Sequence, residues 1–445
     1  MLEVLNTLLW GPGTLALILG TGVWLTLRTG GFPQRNLGRA LALSLGREAR
    51  RKGRGGVSPF GSLMTALAST VGTGNIVGVA AALVSGGPGA LVWMELAALL
   101  GLAAKFAECM LAVKYRHVRR DGTRWGGPMA VMETRLGSAG AVLGRFYALF
   151  ALLMAFAMGA MAQSGALADT FSDAFTLPRW RVGLVTAALA LTILLGGTRR
   201  IAEISTVLVP VMALLYLGGG LAVILGNLRR LPEAVTLMLR CAVAPEATLG
   251  GALGIVTRWE ALRWGVARSV FSNEAGLGSA AITAACADTD EPVKQGLISM
   301  TGVFFDTMVI CTVTGLAICC SGTLGTADGA GRPLTGAALT LRAFETVLWP
   351  LAPWLIGVAL GLFAFTSVLG CAVQAETTAS YLLGPEAVRP CRVLYGLAVF
   401  AGAVIPMATV LQLADLANAL MAFPNLVCLL LLSGEIAGEC GRKER

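Results

Sequence analysis

The chain has 445 residues, 56% hydrophobic and 13% charged, with a net charge of +9. Soluble domains carry about 25% charged residues, so the composition excludes an ordinary water-soluble protein. It points to an all-α integral membrane protein with about eleven spans of ~20 residues each. The positive charge does not signal nucleic acid, because the basic residues lie between apolar spans, where they set topology. Ten cysteines are scattered without a C-x-x-C pair and there is one histidine, His117, so a metal centre of nitrogen and sulfur ligands is not expected. The cysteines are expected to be small apolar core residues.

In chain order, the first span is expected over residues 4–27. No Lys or Arg precedes Arg28, so the basic region of a signal peptide is missing and this span is expected to be retained. Residues 28–56 place Arg39, Arg47, Arg50 and Arg51 among Leu37, Leu41, Leu43 and Leu45, which predicts a helix lying on the cytoplasmic membrane surface. The second span, 61–85, contains Ala68-Ser-Thr-Val-Gly-Thr-Gly-Asn-Ile-Val-Gly78. Gly72 and Gly74 weaken the helix at its middle, while Ser69, Thr70, Thr73 and Asn75 crowd the same point with polar groups. A freed backbone group in hydrocarbon has to be satisfied by protein, water or ligand. The alternative is close helix packing on small residues.

The third span, 89–113, carries Glu95, Lys105 and Glu108. Lys105 and Glu108 are spaced for a local i,i+3 ion pair. After the turn Gly126-Gly-Pro-Met129 comes the fourth span, 139–168, with Gln163 late in it, then the fifth, 182–195, and the sixth, 204–225. The connection 227–260 is basic and could hold an amphipathic surface helix. The seventh span, 261–287, is interrupted by Ser269-Val-Phe-Ser-Asn-Glu-Ala-Gly-Leu-Gly-Ser279, where Gly276 and Gly278 repeat the earlier G-x-G spacing. The eighth, 296–320, carries Asp306 and Thr307, and the ninth, 350–383, carries Thr366 and Ser367. The tenth and eleventh are 393–407 and 410–432. Asp415, in the eleventh, and Glu203, at the start of the sixth, are expected to be structural.

Lys and Arg are concentrated in alternate connections, notably around 28–54 and 114–124 and in the C-terminal tail. The positive-inside rule then puts the N-terminus outside and the C-terminus in the cytoplasm. The two interrupted spans start from opposite sides. Spans two to six and seven to eleven therefore form a five-plus-five inverted repeat, each half opened by a broken helix, with the first span as an extra helix. The expected organisation is 1–56 for the extra helix and basic segment, 57–226 and 227–434 for the repeats, and 435–445 for a short cytoplasmic tail. Paired breaks in matching positions of two halves are the sequence pointer to a secondary-transporter site.

Opposed half-helix ends offer N–H groups to a carboxylate and carbonyls to Na+ or an ammonium group, which together suit an amino-acid zwitterion. Thr366 and Ser367, with carbonyls near Ala68 and Val71, could make an oxygen-lined Na+ site, or could bond their own helix. Asp306, a carboxylate inside a span, is a functional candidate. It could balance a second ion held by Asn75 and Thr70, pair with Arg268, or sit in a capped polar network. Gln163 could reach the ligand or a neighbouring helix. No nucleotide motif or Ser-His-Asp set is present, so the chain is not expected to be an enzyme.

These residues resemble the alanine or glycine:cation symporters, also called sodium:alanine symporters. The resemblance is carried by Thr70-Val-Gly-Thr-Gly-Asn-Ile-Val-Gly78, Gly86-Gly-Pro-Gly89, Lys105-Phe-Ala-Glu108, Gly126-Gly-Pro-Met129, Phe271-Ser-Asn-Glu-Ala-Gly-Leu-Gly-Ser279, Gln295-Gly296, Asp306-Thr307, Phe363-Ala-Phe365 and Met421-Ala-Phe-Pro-Asn425. It implies a fold of LeuT type in the plasma membrane and import of a small neutral amino acid coupled to Na+, with no cofactor beyond that ion. It implies that Gly72, Thr73 and Gly74 hold the carboxylate and Phe271, Ser272 and Asn273 the amino end, with Gln163 lining the pocket. Ala68, Val71, Thr366 and Ser367 would bind one Na+, and Thr70, Asn75 and Ser272 a second. Where the family has bulky aromatics, Cys371-Ala-Val-Gln374 stands here, so Cys371 is expected to widen the pocket. Alternatives are proton coupling through Asp306 or Glu274 with a larger neutral amino acid, and a non-transporting sensor on the same scaffold. The oligomeric state is left open.

Overall fold

The computed structural model describes residues 9–51, 57–119, 122–243, 257–329 and 331–444. It is nearly all helix, as hydrocarbon demands of any spanning chain that is not a closed barrel. The helices are α1 (Pro12–Arg28), α2 (Leu37–Leu45), α3 (Pro59–Thr70), α4 (Val77–Gly86) and α5 (Gly89–Lys114). A ribbon of β1 (His117–Val118) and β2 (Arg124–Trp125) follows. Next, α6 (Pro128–Met154) runs through a π-helical stretch, Ala155–Ala162, into α7 (Gln163–Phe175). Then come α8 (Arg179–Leu194), α9 (Gly197–Gly226), α10 (Leu231–Val243), α11 (Arg258–Asn273) and α12 (Ser279–Ala285). After these, α13 (Pro292–Val303) passes through a second π-helical stretch, Phe304–Cys311, into α14 (Thr312–Ser321). The chain ends with α15 (Gly336–Leu348), α16 (Ala352–Leu383), α17 (Val388–Val404), α18 (Met407–Leu431) and α19 (Ser433–Glu444).

Among the described residues, seven helices are long and apolar enough to cross a membrane, or eight with the bent pair α3 and α4. α1, with 17 residues, and α8, with 16, fall short of the ~20 that a straight crossing takes. Residues 4–8 of the expected first span lie outside the described residues, as do 52–56 of the basic segment and 244–256 of the outer connection. The fourth span is longer than expected: Pro128–Ser172 forms one apolar unit of 45 residues, kinked at Gly137, where φ is 62°. The short helix α15 was not expected. Its sequence mixes Arg342 and Glu345 into an amphipathic stretch that hydropathy alone passes over. The basic segments in which surface helices were expected hold the short helices α2 and α10. α2 is anchored on α13 by a Ser44–Thr301 hydroxyl contact of 3.1 Å.

Burial sorts the helices into centre and rim. Every residue of α3 from Pro59 to Ser69 is buried, and α11 and α13 both pack on α5. α8 and α9 instead present Leu184, Val185, Leu189, Val207, Val211 and Leu214 outward. Such a row of exposed aliphatics is unsuited to water and suits lipid. The centre of the molecule therefore holds the bent pair α3 and α4 together with α5 and α16, and the rim holds α8 and α9.

Candidate functional site

The first break begins where α3 runs out of helical dihedrals. Val71 turns to φ −73°, ψ 90°, Gly72 is extended at φ −133°, ψ −160°, and a single turn, Thr73–Asn75, leads into α4. α3 and α4 meet at 62°. The Gly72 N–H, which a continuous helix would direct at the Ala68 carbonyl, instead donates to Asn75 Oδ1 at 3.1 Å. A Cβ on Gly72 would lie 2.8 Å from Ser367 Oγ, so only glycine lets α16 approach this closely. Ser367 is fully buried, and its hydroxyl has no hydrogen-bond partner among the described residues. Next to it, Gly370 fits against the backbone of Ser69. Thr73 Oγ1 donates to Gln163 Oε1 at 3.3 Å, and Gly74 faces the Phe271 ring. Thr73 and Gly74 form one end of a cavity of about 640 Å³ whose walls include Ala162, Arg268, Phe271 and Leu360.

Behind the break lies a buried polar cluster centred on Asp306. Asn75 Nδ2 donates to Asp306 Oδ1 at 2.8 Å and to its backbone oxygen at 3.1 Å. Ser272 Oγ donates to Oδ2 at 2.5 Å and Thr307 Oγ1 to the same oxygen at 3.2 Å. Asn273 Nδ2 donates to Thr307 Oγ1 at 3.0 Å. The cluster ties the first break, the end of α11 and the π-helical stretch together. Two π-helical stretches flank the break, one leading to Gln163 and one carrying Asp306. The extra residue of a π turn re-aims side chains at such sites.

The structure thus gathers Gly72, Thr73, Gly74, Gln163, Phe271 and Ser367 at one point and Asn75, Ser272, Asn273, Asp306 and Thr307 at another. Several expectations need correction. Asp306 does not pair with Arg268. It has the capped polar network, and Arg268 lies over the Trp264 and Phe271 rings at 5.3 and 5.2 Å in a cavity that it lines with Asp415. The side chains of Ser272 and Asn273 serve the Asp306 cluster and do not line the large cavity. Thr70 Oγ1 donates back to Ala66 O at 3.2 Å, and Thr366 Oγ1 to Leu362 O at 2.9 Å. Both spend their donor on their own helix, as threonines often do, which uses the proton and does not remove either oxygen as a cation ligand. Cys371 does not line the large cavity. It packs against Gly159, where a Cβ would come within 2.8 Å of its Sγ and 2.9 Å of Tyr395 Oη. One residue of helix rotates it about 100° away from Gly370.

What sequence reasoning missed at the second break is not the residues but the contacts between them. Glu274 there has φ 52°, and Gly276 and Gly278 have φ 84° and 82°, a conformation glycine adopts without strain. Glu274 accepts from Ser279. The Gly276 and Gly278 N–H groups donate to Glu108 Oε2 at 3.2 and 3.0 Å, and Asn425 Nδ2 adds a third bond at 3.1 Å. The i,i+3 pair with Lys105 exists at 3.6 Å, but the main partners of Glu108 are these backbone groups. The signal was present in the sequence: two charges in the middle of an apolar span are too costly to serve each other alone.

A cavity ending on an interrupted helix, inside a bundle of apolar helices, defines a multi-pass membrane transporter. Residues 1–441 match the Sodium:alanine symporter family, and the chain belongs to it. It is 41% identical to the sodium/alanine symporter AgcS of Methanococcus maripaludis over 99% of this chain and 96% of AgcS. It is 44% identical to an uncharacterized transporter of Haemophilus influenzae over 97% of this chain and 92% of that protein. Among solved structures it resembles MhsT in complex with L-phenylalanine, with a TM-score of 0.53 and 16% identity over 86% of this chain and 100% of that one. At that identity the likeness establishes the LeuT-like fold and nothing finer.

Proposed function

We propose that this protein imports a small neutral amino acid, alanine or glycine first, by symport with Na+. The first break carries this reading. It presents the N-terminal end of α4 to a carboxylate, the cavity reaches Thr73 and Gly74, and Ser367 lies beside it with a hydroxyl that no described residue satisfies. A buried hydroxyl without a partner is costly, and a Na+ ion would satisfy it. Gly72 N–H has left the Ala68 carbonyl for Asn75, which makes that carbonyl a fitting second oxygen. The Val71 carbonyl and Thr366, through a remaining lone pair, complete an oxygen ligand set for a hard cation. The sodium/alanine symporter AgcS, at 41% identity, supports both substrate and ion.

In the same reading the molecule has eleven spans. Ten of them form the inverted five-plus-five repeat over 57–226 and 227–434, with the N-terminus outside and the C-terminus in the cytoplasm. The large cavity, bounded by α15 and by the ends of α7 and α18 farthest from the basic ribbon, then faces outward. Proton coupling is a second reading, favoured by the Asp306 cluster: every donor to its carboxylate is neutral, so the site can take a proton without breaking an ion pair.

The test is uptake by purified protein in liposomes, with Na+ and pH gradients imposed separately. Alanine accumulation driven by Na+ alone is expected, and accumulation driven only by a pH gradient would replace the sodium reading with the proton one. Gly74→Leu, which fills the floor of the cavity beside Phe271, is expected to abolish binding in a protein that still inserts. Unchanged affinity in that variant would remove the first break from the site.

A further inference from the structure

The two breaks share a glycine spacing but not a fate. At the second, freed backbone groups on both sides of the break are already occupied. Lys105 Nζ donates to the backbone oxygen of Glu274, at the C-terminal end of α11, at 3.2 Å. Glu108 Oε2 accepts from Gly276 and Gly278, ahead of α12, at 3.2 and 3.0 Å. Both side chains come from one turn of α5, are buried, and lie 3.6 Å apart. Asn425 closes the arrangement by donating to Glu108 Oε2 and to the Gly276 carbonyl, at 3.1 and 2.9 Å. An ammonium on a freed carbonyl and a carboxylate on freed N–H groups are the two charged groups of an amino acid, each on the backbone partner that suits its charge. Among the described residues the first break has no such pair: its Gly72 N–H meets a neutral amide, and the Ser367 hydroxyl has no hydrogen-bond partner.

We propose that Lys105 and Glu108 are positioning residues that occupy the second break as a built-in zwitterion. They hold α11 and α12 in place and leave the first break as the one open to a ligand. That last clause rests on the transport reading above, whereas the occupancy itself does not. Removing one member leaves the other buried and uncompensated, so the pair acts as a unit.

Glu108→Ala opens a carboxylate-sized gap lined by the Gly276 and Gly278 N–H groups and Lys105. Formate, a free carboxylate, is expected to raise the melting temperature of purified Glu108→Ala by a few degrees and to leave the wild type unmoved, since a ligand of the folded state alone stabilises it. No shift would overturn the proposal, and this measurement stands even if the wild type transports no amino acid. In liposomes, Glu108→Gln is expected to lower maximal uptake by about tenfold while KM stays within about threefold. A KM that rises as much as the rate falls would place Glu108 against the transported molecule and overturn a positioning role. Should Glu108→Ala not fold, Lys105→Met combined with Glu108→Gln decides the matter. The neutral pair is expected to retain more uptake than either single variant, and additive losses would show that the two charges do not act together.

Discussion

Ser367 and Thr366 are neighbours with the same chemistry and different surroundings. Thr366 directs its hydroxyl to Leu362 O and touches Met212 Sδ at 3.2 Å, while Ser367 lies unpartnered beside Gly72. Loss of one hard oxygen ligand from a cation site is expected to weaken it by roughly tenfold, about 1.4 kcal/mol. Ser367→Ala should therefore raise the half-saturating Na+ concentration for uptake by about that factor, and Thr366→Val by less. Equal and small shifts in both would separate the pair from the coupling ion. Cys371 belongs to the same helix but to a different environment. Packed on Gly159 and Tyr395, Cys371→Trp overfills a closed contact, for which about 1–3 kcal/mol of destabilisation is typical. A lowered melting temperature with an unchanged rank order of competing amino acids is expected. An altered rank order would return Cys371 to the pocket.

At the scale of elements, function is concentrated where helices fail and stability where they dock. The last helix, α19, is held to the body by Glu435, 2.6 Å from Lys114 and 3.1 Å from Arg135, with a further bond from Tyr115. Burial alone would raise the Glu435 carboxyl, but Lys114, Tyr115 and Arg135 more than offset it and hold it below its usual 4.5. A carboxyl lowered in the folded state contributes stability that is complete above its unfolded value and is lost as pH falls through the lowered one. Hydrogen-exchange protection of α19 is thus expected to persist at neutral pH and to disappear only below the ordinary carboxylate range. Glu435→Gln is expected to lose that protection at neutral pH, and a variant as protected as the wild type would mean that apolar contacts, not charge, dock the helix.

For the molecule as a whole, the orientation proposed above rests on the distribution of charge. The ends of α5 and α6 nearest the ribbon gather Lys114, Arg116, Arg119 and Arg124, while the opposite end opens through apolar walls. A protease site appended after Arg445 is expected to be cut in inside-out vesicles and protected in right-side-out ones, with the reverse for a site placed before Met1. The opposite pattern would invert the molecule and make the large cavity cytoplasmic.

Composition, apolar periodicity and the two G-x-G interruptions by themselves determined a helical membrane protein with two broken helices, because hydrocarbon allows few alternatives and because glycine amid small polar residues is a local property of the chain. Gln163 was legible as a polar group late in an apolar span, though not its contact with Thr73. What only the tertiary structure decided is which way side chains point and which distant groups they meet. Cys371 and Gly370 differ by one residue and face different helices. Glu108 and Lys105 look self-sufficient at i,i+3, yet they reach Gly276, Gly278 and Glu274, some 170 residues away in sequence. Helical spacing fixes neighbours within about one turn, whereas the partner of a freed backbone group at a break depends on how separate helices pack.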